Sequence, residues 1–111
     1  MAELRWAYTP DFVLREESSM PEAETLYGPE AMERWARKWA AMFDYTYLPR
    51  EIHEAGERVL VEAVVHSRGK QSGVETETTV YNVWTLRDGR FSSQDTYLDR
   101  TEAFKAAGLA G

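Results

Sequence analysis

The chain has 111 residues, 43% apolar and 29% charged, a length that fits a single domain over residues 1–111 and excludes two independent ones. It holds no cysteine, which excludes disulfide staples, thiol nucleophiles and thiolate metal sites. Nineteen acidic against 13 basic residues give a net charge of −6, which disfavours nucleic acid or an anionic membrane as a partner.

Taken in order, Pro10 closes any turn formed by Glu3 to Tyr8, and Asp11 to Glu16 reads as a strand with Phe12 and Leu14 on one face. Ser18 to Tyr27 reads as a loop. Gly28-Pro29 opens a helix, because proline at the first helical position gives up only an amide that has no partner there. Met32, Trp35, Ala36, Trp39 and Phe43 then fall at helical spacing, so about 15 residues present one bulky apolar face to something flat.

Four strands supply that surface: Tyr45 to Glu54, Arg58 to Ser67, Val74 to Leu86 and Arg90 to Leu98. The last two are joined by Asp88-Gly89, a pair suited to the positive backbone angles of a two-residue turn. In the second of the four, Val59, Val61, Ala63 and Val65 make a wholly apolar face, while Leu60, Glu62, Val64 and His66 make a mixed one. The apolar face should receive the helix, and the mixed face suits a second subunit, so a homodimer is expected. Asp99 with Glu102 forms a capping box for a final helix that Gly108 stops. The fold class read from this order is α+β, a curved, mostly antiparallel sheet wrapped around a helix.

Four of these segments carry a resemblance: Pro10-Asp11-Phe12, Gly28-Pro29-Glu30 before the tryptophan-rich helix, Val83 to Arg90 at the hairpin, and Tyr97-Leu98-Asp99-Arg100 before Glu102-Ala103. In that order and spacing they resemble the SnoaL-like branch of the nuclear transport factor 2-like superfamily, with its polyketide cyclases and ketosteroid isomerases. The resemblance implies a cone-shaped α+β barrel, frequently dimeric through the outer sheet face, with a mainly apolar cavity. Family members carry two N-terminal helices ahead of the position matching Pro10, where this sequence has nine residues. Trp6 and Tyr8 are therefore candidates to cover the open cone or to seal a dimer.

Asp95 is the first candidate for chemistry. It alternates with Phe91, Ser93 and Tyr97, and the resemblance places an acid facing the cavity at this position. Apolar surroundings disfavour a carboxylate's charged form and raise its pKa toward the range useful for acid–base work. Asn82 stands where the family often has a histidine or a proton-donating acid, and its amide suits hydrogen bonding to an enolate oxygen. If both face inward, Asp95 and Asn82 form a minimal proton-transfer pair. Trp35, Trp39, Phe43, Trp84 and Tyr97 are expected to line or fill the interior.

His53 and His66 lack metal-ligand spacing, and no nucleotide fingerprint or Ser-His-Asp arrangement occurs, so no cofactor and no metal is expected. No run reaches the roughly 18 apolar residues that cross a bilayer. Residues Met1 to Tyr8 also lack a signal peptide's basic flank and apolar stretch, so a cytoplasmic location is expected. Two functions follow: a cofactor-independent cyclase or isomerase acting on a small apolar carbonyl compound, or a non-catalytic module that binds a small apolar ligand or dimerises.

Overall fold

The computed structural model describes residues 6–17 and 23–109. The elements are β1 (Tyr8–Arg15), β2 (Thr25–Tyr27), α1 (Ala31–Met42), β3 (Phe43–Ala55), β4 (Arg58–Gly69), β5 (Glu75–Arg87), β6 (Arg90–Tyr97) and α2 (Arg100–Ala107). All six strands join one sheet in the order β2-β1-β6-β5-β4-β3. Among the described residues, only the β1–β6 pair is parallel. The α+β class expected from the sequence is the class observed.

The order of the elements explains the curvature. Strands β2 and β3 are the two opposite edges of the sheet, and α1 joins them with only Gly28, Pro29 and Glu30 added. Six strands laid flat would set those edges roughly 24 Å apart, at about 4.8 Å per strand. A helix of this length spans only about 18 Å. The three linking residues add at most about 10 Å, so the connection reaches most easily where the edges draw together, and the sheet curls toward α1, bringing Tyr47 of β3 to Asn82 of β5. We call the face that carries α1 the inner face.

The inner core is built by Tyr8, Phe12, Leu14 and Ala31, with Met32, Trp35, Trp84 and Phe91 packed against it. Fully burying side chains such as Phe12 and Leu14 contributes about 1.5–3 kcal/mol each. The outer face is capped by α2, whose Ala103, Phe104 and Ala107 pack on Leu60, Tyr81 and Val83. Leu60, expected at a subunit interface, is instead completely buried beneath α2, because the final helix folds back over the mixed face. A dimer through that face would have to use what α2 leaves uncovered.

Local signals behave as the sequence reading requires at the C-terminal end. The Asp99 side chain accepts from the Glu102 amide, and Gly108 ends α2 in the left-handed conformation at φ 77°. Asp88 and Gly89 both have positive φ, 54° and 76°, which makes the β5–β6 turn. Four details differ, the first being that α1 ends at Met42 after 12 residues, so Phe43, expected on the helix, opens β3. Strand β1 starts at Tyr8 and runs through Pro10, which a shift of register between Tyr8 and Val13 accommodates. Residues 25–27 pair with β1 as an added edge strand within the stretch read as a loop. The helix begins two residues after Pro29, with Glu30 as its cap residue. The expected turn over Glu3 to Tyr8 and the stretch 18–22 lie wholly or partly outside the described residues.

Trp6 is 69% exposed, whereas Tyr8 enters the inner core with its ring against Phe12. Among the described residues, no helix is long and apolar enough to cross a membrane.

Candidate functional site on the inner face

Strand pairing decides which side chains share a face, because residues directly opposite in a ladder point the same way and neighbours along a strand alternate. Asn82 pairs with Thr96 and Trp84 with Gln94, and Leu14 pairs with Gln94 from the other side. These residues share the inner face with α1. Val83 pairs with Asp95 and Tyr81 with Tyr97, so Asp95 and Tyr97 share the outer face with α2.

The structure therefore separates the expected proton-transfer pair. The cause is a bulge in β6: Leu86 pairs with Phe91 but Thr85 pairs with Ser93, leaving Ser92 as an extra residue. Phe91 turns inward, its ring 4.8 Å from Trp84, while Ser93, Asp95 and Tyr97 turn outward. Plain alternation along β6 cannot show that switch. The Asp95 carboxylate is held by Arg15 at 2.9 Å on the outer face. Tyr97, expected to line the pocket, packs on the outer cluster instead, and burial first, then the Asp95 charge, pushes its phenol pKa up.

The other expected lining residues gather on the inner side. Trp35 and Trp84 pack on the inner core, and Trp39 stacks on Phe43 with 5.4 Å between centroids. Phe12 stacks over Trp84 at 6.4 Å. Only Ala31 of α1 is fully buried, so the aromatic stripe of the helix forms a partly open wall.

Below that wall lies a polar network. The Tyr47 hydroxyl donates to Asn82 Oδ1 at 2.6 Å, and Asn82 Nδ2 donates to Thr96 Oγ1 at 3.0 Å. Gln94 Nε2 reaches the same Thr96 oxygen at 3.4 Å, and Gln94 Oε1 is buried without a hydrogen-bond partner. Tyr47 stands on β3, so its bond to Asn82 passes over β4, which presents Val61 and Ala63 on this face. Curvature brings the two groups into reach. Burial pushes the Tyr47 phenol pKa up, which keeps the hydroxyl a hydrogen-bond donor at neutral pH.

A carboxylate the sequence reading did not single out also sits on this side. Glu16 follows β1 directly, on the side of Leu14, and its side chain is only 3% exposed. Its Oε1 accepts from Lys38 Nζ at 2.8 Å and from the Glu24 amide at 3.2 Å, and its Oε2 accepts from Trp39 Nε1 at 3.2 Å. Strand alternation places Glu16 with Leu14, but only the fold brings it to residues 22 and 23 positions away on α1. Tyr47 was likewise missed, since a tyrosine in an exposed edge strand carries no signal of its own.

A polar trough lined by Asp44, Tyr45, Thr46, His66, Arg68 and Glu75 among others lies at the far ends of β3, β4 and β5. It is open and mostly charged, with Tyr45 in its wall. Among the described residues no cluster of three or more metal-ligating side chains occurs.

The family follows from comparison. The family model described as SnoaL-like domain matches residues 1–94. The chain belongs to the SnoaL-like domain family. Solved structures agree on the fold. A nuclear transport factor 2-like protein from Burkholderia thailandensis is 22% identical with a TM-score of 0.80, covering 98% of this chain and 85% of that one. A protein of ketosteroid isomerase-like fold from Catenulispora acidiphila, solved in complex with trimethylamine, is 18% identical with a TM-score of 0.75 over 96% of this chain and 81% of its own. A candidate polyketide cyclase from Sinorhizobium meliloti is 26% identical with a TM-score of 0.64, covering 86% and 80%. No curated protein matches the chain.

Proposed function

We propose that this SnoaL-like domain binds a small, neutral, largely apolar molecule on the inner face, between the aromatic stripe of α1 and the Tyr47–Asn82–Thr96 network. That network carries the reading. A buried amide tied to a tyrosine and a threonine hydroxyl on the face that carries α1 is the kind of group that orients a ligand in a mostly apolar site. A carbonyl or hydroxyl group on the ligand would be addressed by the second amide hydrogen of Asn82 and by the Thr96 hydroxyl, the donors that the network leaves over.

Binding is favoured over acid–base turnover by the placement of the carboxylates. Cyclase or isomerase chemistry, the kind suggested by the description of the Sinorhizobium relative, needs an acid or base beside the ligand. Asp95 faces the other side of the sheet, and both oxygens of Glu16 are engaged by α1 and the Glu24 amide.

The test is equilibrium titration with Nile red, a neutral, flat dye with a carbonyl group. The expected result is saturable one-to-one binding with a blue-shifted emission, about tenfold weaker in Asn82→Leu and unaltered in Asp95→Asn. Absence of saturable binding, or equal losses in both variants, would overturn the reading.

A further inference from the structure

We infer that Glu16 is the positioning residue of this site: its carboxylate fixes the Trp39 ring as the wall against which the ligand lies. The inference rests on the ligand-binding reading above and adds to it the group that sets the wall's geometry.

Three donors from two parts of the chain converge on this one carboxylate. They are the Lys38 ammonium and the Trp39 indole N–H from α1, and the Glu24 amide just ahead of β2. All three only donate at these contacts, so the group between them must accept with both of its ends. A carboxylate does so; an amide of the same shape offers one acceptor and one donor. With 3% exposure, Glu16 has little water to substitute for a lost partner.

The arrangement constrains Trp39 beyond ordinary packing. Its ring is held on one edge by the bond to Glu16 Oε2 and stacked on Phe43. Lys38 adds to the hold, since the ammonium that pairs with Glu16 also lies 5.4 Å from the Trp39 ring centre. Loss of the carboxylate removes the edge bond and the shorter of the two ion pairs of Lys38, which keeps Glu24 at 3.7 Å. The stack on Phe43 alone leaves the indole able to rotate, and the flat wall is then no longer in one place.

The test uses the full chain labelled with nitrogen-15 and Nile red as the probe. The chain has four tryptophans, hence four indole N–H resonances, and Trp39→Phe identifies the one of interest. In Glu16→Gln the Trp39 resonance should move upfield and exchange quickly with solvent, with the other indoles and most backbone amides in place. Nile red affinity should fall about tenfold in Glu16→Gln and in Trp39→Phe, and no further in the double variant. An unmoved Trp39 resonance, an unchanged affinity in Glu16→Gln, or additive losses would overturn the inference while the ligand-binding reading stands. If the unaltered chain does not bind Nile red, both fall together. Should Glu16→Gln fail to fold, Trp39→Phe decides, because it keeps a ring and deletes only the donor-bearing part: affinity equal to that of the unaltered chain would overturn the inference.

Discussion

The Tyr47 hydroxyl and the Asn82 side chain, on strands separated by β4, meet at 2.6 Å across the inner face. Tyr47 pairs with Val65 and Asn82 with Val61, so on a flat sheet their Cα atoms would lie two strand spacings and four residues apart, roughly 16 Å. Their contact is a direct measure of how far the sheet is curled by the helix that joins its two edges. Tyr47→Phe removes the donor and leaves Asn82 Oδ1 without a partner. The expected loss is about 1–2 kcal/mol in denaturant unfolding, with Asn82→Leu no worse, since it removes the group that needs satisfying.

The same tyrosine sets a pH dependence. Burial raises the phenol pKa of Tyr47, and of Tyr8, above the ordinary value of 10.0. A group whose folded pKa lies above its unfolded one contributes fully below the unfolded pKa, and that contribution is lost as pH rises through the folded value. Stability should therefore hold up to about pH 10 and fall above it. Thermal unfolding between pH 8 and 11.5 checks this, and Tyr47→Phe should flatten the fall.

Gln94 offers a test in the opposite direction. Its residue is 4% exposed and its Oε1 has no partner, so the amide is buried at a net cost. Gln94→Met keeps the volume and removes the unsatisfied atom. Stability should rise by about 1 kcal/mol in urea unfolding; a fall of that size would mean that the amide is satisfied in solution.

Asp95 is the control for sidedness. Its ion pair with Arg15 is partly exposed, and such pairs contribute about 0–1 kcal/mol. Asp95→Asn should leave stability nearly unchanged and Nile red affinity within about twofold of the unaltered chain. A large loss of affinity would place the ligand on the outer face.

These placements show what the sequence could and could not carry. Signals confined to a few adjacent residues came through: Asp88-Gly89 for the hairpin, Asp99 with Glu102 and Gly108 for α2, and the Met32-Trp35-Trp39 stripe for α1. The wholly apolar side of β4 lies on the sheet face that carries α1, but the helix packs on β1, β2 and β3 rather than on it. Asp95 was misplaced because Phe91, a residue that does face inward, shares its parity along β6, and the extra Ser92 between them reverses the faces. Nothing in the local sequence marks that bulge. Leu60 looked like an interface residue for a related reason: which element covers the mixed face depends on where α2 returns, a long-range matter. Glu16 and Tyr47 draw their meaning from partners 23 and 35 residues away, which only the closed sheet brings near.

The most direct measurement is a nitrogen-15 chemical-shift map of Nile red binding. The account predicts shifts at the indole N–H groups of Trp35, Trp39 and Trp84 and at the side-chain amide of Asn82, with α2 and the Asp44–Arg68–Glu75 trough undisturbed. Shifts centred on α2 or on that trough, with the Asn82 amide unmoved, would contradict it.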